Sequence, residues 1–303
     1  MSNEAQKKDK PFEVGHKPGV QFDNVPGLQS KLDPHPVDAY LPTPEGGKQL
    51  YKAAGKLKGR TALITGGDSG IGRATAILYA MEGASHILIA HLPGEESDAE
   101  DTKKQIEHYG AKVTTFAADL RPKEKCKELV DTALKELGKV NILVLNHAYQ
   151  MVQNSIEELS EDQWERTFDT NIHPFFYISK YLVPHMTRGD VILTCASINA
   201  YVGRPDLLDY TSTKGAIVSF TRGLANMYVE QGIRVNAVAP GPVWTPLIVT
   251  TMGEPQQQAF KGPMGRPSQP SEIATCFVFL AGPDSSSLTG QVLHPNAGTV
   301  LNV

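Results

Sequence analysis

Two residues with complementary acid–base chemistry stand four apart. Tyr210 and Lys214 begin a stretch patterned as a helix over 209–231. An i, i+4 spacing puts both side chains on one helix face. A free tyrosine titrates at about pH 10 and is a poor base near neutrality. A neighbouring ammonium favours the phenolate and lowers that value. The pair can then give a proton to a carbonyl under reduction, or take one from an alcohol under oxidation. By itself, Tyr-x-x-x-Lys is more often a solvated helix face. Ser197 supplies chemical context. It follows the apolar run 190–194, so its hydroxyl falls at the carboxyl end of a strand, where open α/β sheets bind ligands. A serine there can hydrogen-bond a substrate oxygen and stabilise charge developing on it. Asn171 lies inside the helical run TFDTNIHPFF. Asparagine is an indifferent helix former, so a polar role is consistent with that position though not required by it.

A second feature carries phosphate chemistry. The strand-like TALIT runs directly into Gly66-Gly67-Asp68-Ser69-Gly70-Ile71-Gly72, and helical periodicity starts at once with Ile71, Ala74, Ile77, Leu78 and Met81. Glycines allow a tight turn and close backbone approach to a pyrophosphate. The helix start offers unpaired N–H groups and a positive dipole end. A glycine-rich turn alone is weak evidence, but its place between first strand and helix is the confirming context. No Gly-Lys-Ser/Thr follows, so it is not a Walker A loop. Ser197 lacks the Gly-x-Ser-x-Gly elbow of a serine hydrolase. His147, His173, His185 and His294 are scattered without H-x-x-x-H spacing, so no metal site is expected.

The elements that must hold these residues alternate. Strand patterns fall at 61–65, 86–90, 112–116, 140–145, 190–194, 233–237 and 291–294. Helical patterns fall near 70–82, 97–109, 122–137, 160–187, 209–231 and 270–281. Strand–helix alternation implies parallel strands with helices on both faces. A run such as NILVL (141–145) suits burial on both sides of the sheet. The expected fold is therefore α/β: a Rossmann-type, doubly wound parallel sheet of about seven strands in one domain, 58–303. Residues 1–57 read as an extended arm. Pro11, Pro18, Pro26, Pro34, Pro36, Pro42 and Pro44 exclude regular helix and central strand there. The arm is either a disordered tail or a segment laid over its own or a neighbouring subunit. Phe12, Phe22, Leu28, Leu32, Tyr40, Leu41 and Tyr51 are more apolar than a solvated tail requires.

Bulk composition bounds the partners. With 29 basic and 33 acidic residues in 303, the net charge of −4 gives no electrostatic reason to expect nucleic acid or an anionic membrane. Cys126, Cys195 and Cys276 are odd in number and widely spaced, which suits buried thiols in a reducing compartment. No apolar run is long enough to span a membrane. The N-terminal sequence has neither the apolar core of a secretory signal nor the arginine bias of a transit peptide. A cytoplasmic location is the expectation.

From residue 58 onward the motifs together resemble the short-chain dehydrogenase/reductase family. Thr65-Gly66-x-x-x-Gly70-Ile71-Gly72 is similar to its cofactor motif, and Asn171, Ser197, Tyr210 and Lys214 match its active site. The Pro-rich arm followed by GGDSGIG is similar to a subgroup of N-terminally extended members. The resemblance implies NAD(P)-dependent hydride transfer between a ketone or aldehyde and an alcohol. Tyr210 is then the acid/base and Lys214 its activator and the holder of the nicotinamide ribose. Ser197 is the partner of the substrate oxygen, and Asn171 the support of a water relay. It also implies cofactor contacts at Gly66, Asp68, Ser69, Gly70, Ile71, Gly72, His91, Asp119, Leu120, Asn146, Tyr210, Lys214, Pro240, Gly241, Val243 and Thr245. Asp119 would face the adenine, or else cap a helix. Asn146-His147-Ala148-Tyr149 departs from the family's usual Asn-Asn-Ala-Gly, which puts substrate shape in doubt. A catalytically inactive dinucleotide-binding regulator or scaffold is the alternative function.

The end of the second strand reads HILIAHLPGEES. No acid stands at its tip to bond a ribose 2′-hydroxyl, which favours NADP(H) over NAD(H). Residues 246–266 form a long connection of lid type, with Met252, Phe260 and Met264 as apolar surface and Gly253 and Gly262 as possible hinges. Tyr149, Met151, Tyr201, Leu207 and Trp244 are candidates to line a pocket for a lipophilic secondary metabolite, although core packing explains each equally well. The helices near 160–187 and 209–231, with Trp164, Phe168, Phe175, Phe176 and Tyr177, are expected to bury a homodimer or homotetramer interface.

Overall fold

A computed structural model describes residues 10–301. The arm contributes a two-stranded antiparallel hairpin, β1 (Tyr40–Pro42) and β2 (Lys48–Leu50). Seven strands then form one parallel sheet: β3 (Thr61–Thr65), β4 (His86–His91), β5 (Lys112–Ala117), β6 (Ile142–Leu145), β7 (Val191–Cys195), β8 (Arg234–Val238) and β9 (Val292–Leu293). Their spatial order is β5-β4-β3-β6-β7-β8-β9. The chain reverses direction across the sheet between β3 and β6. That switch point opens a crevice at the strands' carboxyl ends, where Rossmann-type folds bind dinucleotides.

The flanking helices are α1 (Gly70–Met81), α2 (Glu96–His108), α3 (Lys123–Leu137), α4 (Glu161–Asn171), α5 (His173–Leu182), α6 (Asn199–Val202), α7 (Leu208–Tyr228), α8 (Pro246–Thr251), α9 (Glu254–Gln258) and α10 (Pro270–Ala281). Helices α1 and α10 cover one face of the sheet through Ile77, Leu78, Tyr79 and Phe277. Helices α3, α5 and α7 cover the other through Leu129, Phe175, Ile178 and Ile217. All four residues of β6 are buried, as a strand sandwiched between two helical layers requires. Burial of each such large apolar side chain contributes about 1.5–3 kcal/mol. A single hydrogen bond nets only about 1 kcal/mol. The scaffold under the site is therefore set by apolar packing.

Two expectations are corrected. The helix expected over 160–187 breaks at Ile172, whose φ of −125° leaves helical geometry. Pro174 follows in the first turn of α5, and a proline cannot donate to, and clashes with, the carbonyl four residues back. Phe175, expected at a subunit interface, is fully buried in the core beneath α5. The arm, which carries the β1–β2 hairpin, packs on its own chain, one of the courses its sequence left open. Arg266 Nε donates to Phe12 O at 2.8 Å, Trp244 Nε1 to Pro34 O at 2.8 Å, and Ser271 Oγ to Tyr40 O at 2.7 Å. No helix among the described residues is long and apolar enough to cross a membrane.

Candidate active site

A cavity of about 590 Å³ lies along the carboxyl ends of β3, β4, β6, β7 and β8. At one end is the turn between β3 and α1. Gly66 takes φ +62°, a left-handed conformation that strains any residue with a Cβ. A Cβ on Gly72 would stand 1.8 Å from Gly66 O, so the first turn of α1 can close on the strand only with glycine there. Gly72 thus shapes the cradle without lining the cavity. The other expected cofactor contacts all line it: Gly66, Asp68, Ser69, Gly70, Ile71, His91, Asp119, Leu120, Asn146, Tyr210, Lys214, Pro240, Gly241, Val243 and Thr245. Asn146 locks the turn from β6, donating from Nδ2 to Gly66 O at 3.0 Å. Asp68 is buried and its Oδ2 meets no hydrogen-bond partner among the described residues. An orphaned acceptor on a cavity wall fits a ligand that brings hydroxyl groups, as the riboses of a dinucleotide do.

At the other end, Tyr210, Lys214 and Ser197 line the same cavity. Helix α7 presents the Tyr–Lys pair, and the end of β7 presents Ser197. Lys214 Nζ stands 5.3 Å from the Tyr210 ring centroid and donates to Cys195 O at 2.6 Å. Burial lowers the Lys214 ammonium below its usual range. Burial also raises the Tyr210 phenol well above its usual value, and a hydrogen bond from Ser197 opposes this only in part. Burial thus works against the lowering expected from Lys214, because desolvation disfavours the phenolate. The trio still sets a proton donor, a hydroxyl and an ammonium around one space. That arrangement can bind an oxygen and exchange a proton with it.

Asn171 is placed behind the cavity wall. Its Oδ1 accepts from Tyr149 N at 2.7 Å, and its Nδ2 donates to Tyr149 O at 2.8 Å and Thr213 Oγ1 at 3.0 Å. The side chain pins the loop that carries Tyr149 to α7, and Asn171 is not among the cavity-lining residues. Tyr149, which stands where the family's usual motif has glycine, lines the cavity with the Arg166 guanidinium 4.2 Å from its ring centroid. His147 is half-buried and lines the cavity, with Nδ1 at 2.7 Å from Thr65 Oγ1, and desolvation pushes its pKa down to about 4, which favours the neutral imidazole. Asp119 caps no helix, since Pro122 precedes α3; it pairs with the Arg121 guanidinium and N–H. Partial burial works against its ionisation, yet those Arg121 bonds hold its carboxyl below the usual range.

The substrate end keeps apolar walls, but only Tyr149 of the five residues proposed to line it does so. Tyr149, Met252 and Phe260 line the cavity, but so do Gln150, Asn199 and Arg204. Trp244 is turned to the arm, Tyr201 packs on His294 with ring centroids 4.8 Å apart, and Leu207 sits in a buried cluster. These three, with Met151 and Met264, are not among the lining residues. Gly262 is no hinge by geometry: a Cβ there would meet Ala297 Cβ at 2.5 Å, so it serves close packing.

The linear sequence also hid an acidic corner of the cavity. Glu95 and Asp98 come after the strand tip, but α2 folds them back beside Asp68 and His91, all four buried. Glu95 Oε2 accepts from Leu92 N at 2.9 Å. Burial, reinforced by the Asp68 charge, raises the Glu95 carboxyl to about 8, and burial raises Asp68 to about 6. Val25 and Pro26 of the arm were missed as well, and both line the cavity. The only signal for them was the apolar character of the arm.

Comparison with known proteins adds to this geometry. A family model described as enoyl-(acyl carrier protein) reductase matches residues 66–300. The chain is 49% identical to an uncharacterized oxidoreductase of Schizosaccharomyces pombe over 94% of this chain and 98% of that protein. It is 44% identical to an NADPH-dependent aldehyde reductase of Arabidopsis thaliana, named chloroplastic, over 86% of this chain and 93% of that protein. Among solved structures it is similar to a short chain dehydrogenase from Burkholderia cenocepacia in complex with NADP. That match has TM-score 0.75 and 26% identity, covering 80% of this chain and 98% of the other. It is also similar to a 3-ketoacyl-(acyl-carrier-protein) reductase from Brucella melitensis complexed with NADH, with TM-score 0.72, 32% identity and the same two coverages.

Proposed function

The chain belongs to the short-chain dehydrogenase/reductase family, and from that premise we propose that it interconverts a ketone or aldehyde with the corresponding alcohol, Tyr210 acting as acid/base. The observation that carries this is the single cavity joining the glycine turn at Gly66 to Tyr210, Lys214 and Ser197. A nicotinamide dinucleotide, when bound, supplies or accepts the hydride. The turn at 66–71 and Asn146 fit its pyrophosphate, Asp68 its adenosine ribose, and Pro240, Gly241, Val243 and Thr245 its nicotinamide side. Ser197 holds the substrate oxygen. Tyr210 gives that oxygen a proton in reduction and removes it in oxidation. Lys214 favours the phenolate form in the loaded site, and Asn171 acts at one remove by fixing the Tyr149 loop against α7.

The substrate reading is a carbonyl compound that carries polar as well as apolar groups. Gln150 and Arg204 beside Met252 and Phe260 support it. Two cofactor readings divide on specific observations. NADP(H) is supported by the name of the Arabidopsis relative and by the NADP-bound neighbour. NAD(H) is favoured by the buried Asp68 carboxyl, whose unpartnered Oδ2 suits a 2′-hydroxyl.

The test is a panel of aldehydes, ketones and alcohols with each dinucleotide, read by absorbance of the reduced nicotinamide. Turnover of a carbonyl is the expected result. Tight dinucleotide binding without turnover across the panel supports an inactive regulator instead. Separate titrations with NADPH and NADH decide the cofactor.

A further inference from the structure

The start of α1 lacks the side-chain cap that helix starts ordinarily use. Ser69 stands at the N-cap position and its hydroxyl makes no capping bond. The arm instead supplies an acceptor for the N–H of the first helical residue, Gly70. Gln29 is buried, and its Oε1 accepts from Gly70 N at 2.6 Å. Gln29 is itself gripped from two further elements. Its backbone N donates to Asp98 Oδ2, with Ser30 N donating to Asp98 Oδ1 at 3.3 Å. Its Nε2 donates to Asp38 Oδ2 at 3.0 Å, and Asp38 pairs with Arg73 of α1 at 3.0 Å. On the other side, the chain at Gly27 presses on α8, where a Cβ would stand 2.3 Å from Thr250 Cγ2. Segment 25–30 therefore spans from α8 to the glycine turn, with Val25 and Pro26 on the cavity wall. The unpartnered Asp68 Oδ2 on that wall marks where a ligand belongs.

We propose that Gln29 is a positioning residue of the dinucleotide site, holding the 69–71 turn from outside the cavity so that the remaining N–H groups of the α1 start face the ligand. The arm is then part of the binding site and not a tether beside it. This rests on the dinucleotide reading above. The physical basis is that a buried N–H left without its acceptor is costly, so the turn would shift to find water. It would give up the arrangement that suits an anion.

The test uses the full chain carrying Gln29→Met, which keeps length and packing and removes the acceptor. Calorimetry with NADH and with NADPH gives Kd, and hydrogen exchange reads the amides at 66–72 in the free protein. The expected result is a Kd raised about tenfold for the better of the two dinucleotides, within the range for one unsatisfied buried donor. Amide exchange at 69–71 becomes faster. KM for the dinucleotide rises in step with Kd while kcat at saturation holds, a split that general destabilisation does not produce. A Kd within twofold of wild type overturns the proposal, as does an equal loss in kcat. Should Gln29→Met melt well below wild type, Asp98→Asn, which loosens the grip on Gln29 N from α2, is measured in its place against the same Kd criterion. If wild type binds neither dinucleotide, the dinucleotide reading itself fails. If wild type binds and Gln29→Met binds equally well, only the role of Gln29 fails.

Discussion

Lys214 donates to the Cys195 carbonyl oxygen at 2.6 Å, which ties the helix bearing the Tyr–Lys pair to the end of β7. The bond holds a fully buried ammonium in place beneath the Tyr210 ring. Lys214→Ala removes both the charge and the tie. Turnover is expected to fall by about 10²-fold or more, and dinucleotide affinity to weaken in parallel. Steady-state kinetics with calorimetry checks this. Unchanged affinity would remove Lys214 from the cofactor site.

Tyr210→Phe deletes one hydroxyl and keeps the ring in its buried setting. Folding and dinucleotide affinity should change little. Turnover should fall by about 10²–10⁴, the range for general acid–base catalysis. Near wild-type turnover on a substrate with a rate-limiting chemical step would falsify the acid/base assignment.

The pH behaviour of Tyr210 follows from its burial. In the free protein the phenol ionises above the ordinary tyrosine value. A spectrophotometric titration, wild type minus Tyr210→Phe, reads this directly, and a midpoint below about 10 contradicts it. Alcohol oxidation needs the phenolate, so its rate rises with pH. Carbonyl reduction needs the phenol, so its rate holds through neutrality and declines only as the phenol ionises.

Glu95 makes stability depend on pH. Its carboxyl titrates near 4.5 when unfolded and at about 8 when folded, raised by burial and then by Asp68. A group whose folded value is raised gives its full stability below the unfolded value and loses it as pH climbs through the folded one. The loss therefore runs from about pH 4.5 to about pH 8, and it belongs to the Asp68–Glu95 pair jointly. Glu95→Gln removes the ionisation. Thermal melts should show the variant gaining more on wild type at pH 8 than at pH 5. An equal offset at both pH values counts against the buried acid.

The exposed faces of α4, α5 and α7 predict self-association. Trp164 stacks near Phe168 with ring centroids 4.8 Å apart, and Trp164, Phe176 and Met227 are exposed. Large apolar side chains left exposed on neighbouring helices suit an interface. Light scattering at micromolar concentration should give a dimer or tetramer mass. A monomer mass ends this reading, and Phe175 takes no part in it because it lies in the core.

What the sequence by itself determined was whatever is encoded by short-range pattern. All seven strands of the parallel sheet were legible, because each is a short β-branched or Leu-rich run between helical periods. The glycine turn and the run from Tyr210 to Lys214 were legible because their spacing lies within one turn or one helix face. The break at Ile172 was also written locally, in Pro174, but the apolar periodicity on either side masked it. Tertiary structure alone decided the contacts made across the fold. It brought Gln29 to Gly70 and Asp98 to Gln29, which are remote in sequence. It folded Glu95 back beside Asp68, and it buried Tyr210 deeply enough to raise a pKa that its neighbouring lysine was expected to lower. The reason is the range of the forces involved. Periodicity and turn preference act along the chain, whereas desolvation and capping by a distant residue depend on which surfaces the packed layers bring together.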